Sequence, residues 1–127
     1  MRLLDADVLI DQVRGYPPAV QWLASLPIQP GLTGIALMEV VKGCGNKAEL
    51  WRLQKLASHY VLYWPSPVDC QDALLYLSLY NLSHSLGSED ALIAATSIGL
   101  GATLHTFNTK HFSAVPGLIT EQPYERG

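Results

Sequence analysis

The sequence has 127 residues, of which 49% are hydrophobic and only 15% are charged. This length predicts a single domain over residues 1–127, and the low charged fraction indicates a surface that a partner covers. Cys44 and Cys70 are too few for a disulfide scaffold, and no apolar run approaches the roughly 18 residues that span a membrane. Because Asp5 and Asp7 interrupt the region where a signal peptide is apolar, the chain is predicted to be soluble and cytoplasmic.

The net charge of -3 argues at first against nucleic acid as a ligand, because nucleic-acid binders are usually basic. The placement of the acids changes that conclusion. If Asp5, Asp7, Glu39 and Asp90 belong to one metal site, 7 of the 11 acids remain against 8 Lys and Arg. A bound cation would then offset the charge of the cluster. Net charge alone therefore does not exclude RNA.

Strand and helix patterns alternate along the chain. In order, they predict a strand near 3–5, a helix from 8, a helix over 19–26, a strand near 32–34, helices over 35–41 and 47–58, a strand over 60–64, helices over 68–82 and 88–100, and strands over 102–106 and 118–120. This alternation predicts the α/β class, with a parallel sheet of four or five strands and helices on both faces.

Several details of these elements are also predicted. Asp7 and Ser88 are candidate N-caps of the helices that follow them. On the long helix over 68–82, the side chains expected to face the core are Leu74, Leu75 and Leu82. Residues 123–127 are predicted to form a loose tail.

Four acids occupy positions that suit a cation site. Asp5 ends the first predicted strand, Asp7 follows in the turn, and Glu39 and Asp90 lie on later helices. The carboxyl edge of an open parallel sheet is where ligands bind, and carboxylate oxygens are ligands of Mg²⁺. The sequence therefore allows a metal site at that edge.

Each acid also has an explanation without a metal. Asp7 can serve only as a helix cap, and Asp90 can serve only as a favourable charge in the first turn of its helix. Glu39 lies in an apolar run, 37–41, where a buried carboxylate is costly unless it is paired or metal-bound. An exposed position on its helix is the equally acceptable alternative for Glu39.

Other common sites are not indicated. The four histidines lack the spacing of a zinc site, and no glycine-rich phosphate loop or nucleophilic-serine motif occurs. The aromatic side chains lie mostly within predicted elements and are expected in the core or in interfaces rather than as RNA-stacking platforms. They are Trp22, Trp51, Tyr60, Tyr63, Trp64, Tyr76 and Tyr80.

Four stretches of the chain, in order, resemble the motifs of PIN-domain ribonucleases of the VapC-like toxin type. In the first, Asp5 is followed two residues later by another acid; in the second, Thr33 stands six residues before Glu39. In the third, Asp90 opens a helix of apolar and small residues. The fourth comprises residues 104–112 and 115–118. The four stretches cover nearly the whole chain.

The resemblance implies a PIN-like three-layer α/β/α fold with a metal centre. Asp5, Glu39 and Asp90 would be catalytic and would bind Mg²⁺ or Mn²⁺, with Asp7 in support and Thr33 and Thr106 nearby. The family's fourth acidic position falls near Asn108 or His111, and neither residue is an acid. Asn108 is also predicted to be catalytic, because its side-chain oxygen could bind a metal or water. It supplies no negative charge, so a second metal is not implied.

The activity implied is metal-dependent hydrolysis of RNA by an endoribonuclease that acts as the toxin of a toxin–antitoxin pair. Its partners would be an RNA substrate, a cognate antitoxin protein and a second copy in a homodimer. A catalytically weak PIN-like module for RNA binding or protein assembly is the alternative, and a phosphatase-like cation-binding enzyme is a third possibility. Lys42, Lys47 and Lys110 could steer RNA or could be solvated surface residues.

Overall fold

A computed structural model describes residues 1–126 of the chain. The strands in this part are β1 (Arg2–Leu4), β2 (Gly31–Thr33), β3 (Leu62–Tyr63), β4 (Thr103–His105) and β5 (Ile119–Glu121). The helices are α1 (Ala6–Val13), α2 (Pro17–Ser25), α3 (Gly34–Gly43), α4 (Lys47–Ala57), α5 (Pro67–His84), α6 (Ser88–Leu100) and α7 (Thr109–Phe112). The short helix α7 was not predicted from the sequence.

The five strands form one sheet in the order β3-β2-β1-β4-β5, and every neighbouring pair is parallel. From β1 the chain moves outward to β2 and β3, then returns across the sheet to β4 and β5. Because crossovers between parallel strands are right-handed, the two directions place helices on opposite faces. The predicted parallel α/β architecture is therefore confirmed.

The central strands are buried on both faces, which explains their continuous apolar sequence. Leu3, Leu4, Leu32 and Leu104 have no exposed surface. On α6, the small side chains permit close packing, and those that are buried are Ala91, Ala94 and Ala95. This core fixes the relative positions of the strand ends.

Two of the predicted helix caps are wrong by one or two residues. Asp5, not Asp7, caps α1, because the Asp5 Oδ1 accepts a hydrogen bond from the Ala6 N–H at 2.8 Å. At α6 the cap position is Gly87, and Ser88 is already helical. At α1 the chain enters the helix directly after β1, without the turn that was expected around Asp7.

The predicted core leucines of α5 are also wrong. Leu74, Leu75 and Leu82 are 65%, 54% and 98% exposed. The buried or partly buried side of α5 carries Ala73 and, at helical spacing from it, Tyr76, Leu77 and Tyr80. That side packs on α6, which leaves the leucines on the outer surface.

The C-terminal residues that the structure describes are not loose, contrary to the prediction. The Tyr124 hydroxyl donates a hydrogen bond to the Asp11 carboxylate at 2.7 Å, and Arg126 forms a 3.1 Å salt bridge with the same oxygen. The Arg126 guanidinium also lies 3.8 Å from the centre of the Phe107 ring. Gly127, the last residue of the predicted tail, lies outside the described residues.

None of the helices described in residues 1–126 is long and apolar enough to cross a membrane.

Candidate metal centre

The centre of the candidate site is Asp5, which directly follows β1. The chain reverses its direction across the sheet between β1 and β4, and such switch points are where open α/β sheets bind ligands. Thr106 directly follows β4, and its hydroxyl donates a 2.7 Å hydrogen bond to the Asp5 Oδ2. Asp5 is only 3% exposed, so its carboxylate is held by both adjacent strand ends in a largely dry environment.

Asp7 ties the loop after β4 to the start of α1. Its Oδ1 accepts a hydrogen bond from the Val8 N–H at 2.8 Å, and its Oδ2 accepts one from the Phe107 N–H at 2.9 Å. The Thr106 hydroxyl also lies 3.4 Å from the Asp7 Oδ2. Asp5 and Asp7 are therefore joined through one threonine, and four backbone or side-chain donors fix their orientation.

Glu39 and Asp90 reach the site from two helices. Glu39 lies in the middle of α3 and is partly buried, and its Oε1 is a buried oxygen without a hydrogen-bond partner among residues 1–126. Asp90 lies in the first turn of α6 and accepts one long hydrogen bond, of 3.3 Å, from the Gly87 N–H. Both carboxylates have capacity to accept further bonds.

The carboxylates influence one another electrostatically. Burial, followed by the repulsion of Asp7 and then Asp90, raises the pKa of Asp5 to about 6, although the Thr106 hydrogen bond opposes the shift. Burial, followed by the repulsion of Asp5 and Asp90, raises the pKa of Glu39 to about 7. These residues are distant in sequence, so the fold has brought their negative charges together.

The pKa of Asp90 is raised as well, mainly by burial. The Gly87 hydrogen bond and the charge of His111 act in the opposite direction. His111, on α7, is therefore close enough to Asp90 to affect the pKa of that carboxyl group.

The remaining predicted site residues have different positions. Thr33 is buried at the end of β2, and its Oγ1 accepts the Ala36 N–H at 3.0 Å, so it caps the helix that carries Glu39. Asn108 is exposed, and its backbone N–H donates to the Thr106 hydroxyl at 3.0 Å. Its side-chain amide has no hydrogen-bond partner within the described chain. Thr33 therefore orients α3, and Asn108 contacts the site through its backbone.

The donor set suits a hard divalent cation. The available groups are carboxylate oxygens, and one of them, the Glu39 Oε1, is buried without a partner. As placed, no three His, Cys, Asp or Glu side chains of residues 1–126 form a group that could hold a metal ion alone. Mg²⁺ usually takes only one or two protein carboxylates and completes its shell with water and substrate phosphate, so the set fits that cation.

Sequence reasoning missed a second layer behind Asp7. Asp11 accepts hydrogen bonds from Tyr124 and Arg126. Burial raises the pKa of Asp7, and the charge of Arg126 partly opposes that rise. Asp11 lies only four residues after Asp7 in the sequence, but its partners lie more than 110 residues away. No local pattern could have revealed that pairing.

The fold and site geometry define an α/β domain with clustered carboxylates at a sheet edge, and comparison with known proteins gives the class. The model of the PIN domain family matches residues 2–118. Ribonuclease VapC19 of Mycobacterium tuberculosis is 31% identical over 129 aligned residues, which cover 98% of this chain and 100% of that protein. The chain therefore belongs to the PIN-domain family, among the VapC ribonucleases.

Further similarities agree with this family. Ribonuclease VapC10 of Mycobacterium tuberculosis is 34% identical over 119 residues, covering 88% of this chain and 86% of its own. A toxin–antitoxin complex from Klebsiella pneumoniae contains a chain with a TM-score of 0.75 and 30% identity, covering 99% of this chain and 100% of that one. The VapBC-1 structure from nontypeable Haemophilus influenzae, at 20% identity and a TM-score of 0.77, supports the fold alone.

Proposed function

We propose that this protein is an endoribonuclease that hydrolyses RNA phosphodiester bonds with Mg²⁺ or Mn²⁺ bound by Asp5, Glu39 and Asp90. The observation that carries the proposal is the buried Glu39 Oε1, which has no hydrogen-bond partner among residues 1–126 and lies within range of the charges of Asp5 and Asp90. The ribonuclease names of the VapC19 and VapC10 relatives support the same chemistry.

The residues around the centre have separable roles in this proposal. The bound cation would activate water and stabilise the charge that builds up on the phosphate. Asp5 is the fixed ligand, since the Thr106 hydroxyl and the Ala6 N–H orient its two oxygens. Glu39 and Asp90 supply the adaptable carboxylates, and the neutral Asn108 contacts Thr106 through its backbone N–H.

We propose also that a cognate antitoxin protein neutralises the enzyme, as the toxin–antitoxin complex from Klebsiella pneumoniae indicates for its own chain. The homodimer remains a prediction. The exposed leucines of α5 form an apolar surface that a second copy of the chain could cover. They are Leu74, Leu75, Leu79 and Leu82.

The direct test is cleavage of a structured RNA by the purified protein with Mg²⁺, with Mn²⁺ and with EDTA. We expect cleavage with either cation and none with EDTA. Asp5→Asn should lose about 100-fold or more of the activity, because a ligand should matter at least as much as the outer-shell residues that orient it. Asp72→Asn on exposed α5 makes the same substitution away from the cluster and should cleave normally.

Three results would contradict the proposal. Full cleavage by Asp5→Asn would eliminate the metal mechanism. RNA binding without cleavage under every metal condition would favour the catalytically weak module, for which the neutral Asn108 is the structural argument. Turnover of a small phosphate ester without RNA cleavage would favour the phosphatase-like alternative.

A further inference from the structure

The positive charges of the chain are concentrated in one segment of the sequence, part of which lies next to Glu39. Five of the 8 Lys and Arg residues lie in the segment from the end of α1 to the end of α4. They are Arg14, Lys42, Lys47, Arg52 and Lys55. Because the chain as a whole is acidic, such a local excess suits an anionic ligand.

A groove lies between α1, α3 and α4 and begins at the metal centre. Its volume is about 160 Å³, and Arg14, Arg52 and Glu39 are among its lining residues. Glu39 is thus shared between the carboxylate cluster and this groove. A polyanion in the groove would meet two guanidinium groups next to the site proposed for hydrolysis.

The groove continues along α4 into a second depression of about 320 Å³, with Val13 and Arg52 lining both. Trp51 and Lys55 line this second part, where the Lys55 ammonium lies 4.9 Å from the centre of the Trp51 ring. Trp51 was expected in the core or an interface, but it is 60% exposed in this chain. The core expectation is therefore wrong for this residue, which offers an exposed aromatic surface beside the Lys55 ammonium.

The guanidinium groups of this groove are not neutralised by a carboxylate within the described part of the chain. The one salt bridge within residues 1–126 joins Arg126 to Asp11, and neither residue lines the groove. Glu49 also lines the groove, but its carboxylate accepts hydrogen bonds from the Gly45 N–H at 2.9 Å and the Asn46 amide at 3.4 Å. Glu49 therefore stabilises the start of α4 and leaves Arg52 available.

We infer that this combined groove is the path of single-stranded RNA next to the cleavage site, with phosphates on Arg14 and Arg52 and a base stacked on Trp51. The inference rests on the proposed function, since it names the substrate contacts of that same site. Cationic grooves with an exposed aromatic side chain are typical of proteins that bind single strands, because every base offers a stacking face and every linkage a phosphate. A double helix keeps its bases stacked inside and could not use Trp51 in this way.

The test measures binding of a 5′-fluorescein-labelled 12-residue oligouridylate in EDTA, by fluorescence anisotropy from 0.1 to 1 M salt. Arg14→Ala and Arg52→Ala should each reduce the salt slope by about 0.7, the value for one phosphate contact on a single strand. Each variant therefore binds more weakly than the unchanged protein, and its loss of affinity should be roughly fivefold greater at 0.1 M than at 1 M salt. Trp51→Leu should weaken binding about fivefold or more and should abolish the quenching of tryptophan fluorescence by the oligonucleotide.

Arg2→Ala is the matched control, because it removes one cation at the opposite, N-terminal edge of β1. It should bind like the unchanged protein. The inference would be overturned if Arg14→Ala and Arg52→Ala had the same affinity and salt slope as Arg2→Ala. That result would favour a protein partner as the ligand of the groove.

The two proposals can fail separately. Because binding is measured without a metal, a protein that binds through Arg52 and Trp51 but never cleaves RNA would refute only the proposed hydrolysis. A protein that cleaves RNA equally well with Arg52→Ala and Trp51→Leu, and binds equally well, would refute only the groove.

Discussion

The two halves of the carboxylate cluster differ in how firmly the fold holds them. Asp5 and Asp7 accept hydrogen bonds from Ala6, Val8, Thr106 and Phe107, all at 2.7 to 3.4 Å. On the helical side, Asp90 accepts one bond of 3.3 Å, and the buried Glu39 Oε1 accepts none within residues 1–126. The orientation of Asp5 and Asp7 is therefore fixed by the protein itself. Glu39 and Asp90 have oxygens that can still accept bonds from a ligand.

This difference suggests how one site can combine precise placement with room for substrate. In metal proteins, outer-shell hydrogen bonds orient the ligands, and a ligand oriented in this way sets the position of the cation. The less constrained carboxylates can adjust when water and phosphate complete the shell. Variants on the two halves should therefore behave differently.

The largest effect is expected from Asp90→Asn, on the adaptable half. The variant keeps an oxygen that can accept the Gly87 N–H but loses the negative charge that a cation needs. RNA cleavage should fall by about 100-fold or more, whereas the fold should remain intact and the metal-free protein should be no less stable. A cleavage assay with circular dichroism checks both expectations. Cleavage at the unchanged level would remove Asp90 from the site.

On the fixed half, Thr106→Val removes the hydroxyl that orients Asp5 without adding bulk. We expect metal affinity and cleavage to fall by about 10- to 100-fold, as is usual when an outer-shell hydrogen bond is lost. Thr106→Ser should restore most of both.

Thr96→Val supplies the matched control for that experiment. The Thr96 hydroxyl is also largely buried, but it donates only to the Leu92 carbonyl within α6. A similar loss of metal affinity in Thr96→Val would mean that the Thr106 effect is a general consequence of removing a buried hydroxyl.

The pH dependence of stability should report the burial of these carboxylates and, after it, their mutual repulsion. The pKa values of Asp5 and Glu39 rise to about 6 and about 7 in the folded protein, so the native state holds protons that the unfolded chain has released. The free energy of unfolding of the metal-free protein should therefore fall as the pH rises from about 4 through about 7. Mn²⁺ should reverse much of the fall by binding the native state.

Glu39→Gln tests that assignment by melting in EDTA at pH 5 and pH 8. The unchanged protein should lose a few degrees more than the variant between the two pH values. Glu125→Gln, an exposed acid near the C-terminus, should behave like the unchanged protein. Identical pH dependence for both variants would show that Glu39 is not in the cluster.

The smallest effect is expected from Asn108→Asp, which adds an acid near the family's fourth position. If the side chain turns into the site, Mn²⁺ affinity should rise by up to about tenfold. Unchanged affinity would show that Asn108 acts only through its backbone, and His111→Asp would then be the variant to compare, because His111 influences Asp90.

Sequence reasoning succeeded for features that repeat along the chain. Alternating strand and helix patterns predicted the parallel sheet, which the structure confirms, and they placed Asp5 at the end of the first strand, directly after β1. Exposure of the α5 leucines was not predictable in the same way, because it depends on which side of α5 meets α6. The C-terminal bonds to Asp11 also depend on a long-range contact that no local spacing encodes. Four motifs in order predicted the acids as a site. The fold adds that hydrogen bonds hold Asp5, whereas the Glu39 Oε1 has no partner among residues 1–126.

Direct measurement of Mn²⁺ binding, by titration calorimetry at pH 7.5, tests the central claim that these carboxylates form one metal centre. The unchanged protein should bind Mn²⁺, and Asp5→Asn, Glu39→Gln and Asp90→Asn should each bind it at least about tenfold more weakly, while Asp72→Asn binds it normally. The account would be contradicted if the unchanged protein bound no Mn²⁺, or if the three cluster variants bound it as tightly as Asp72→Asn.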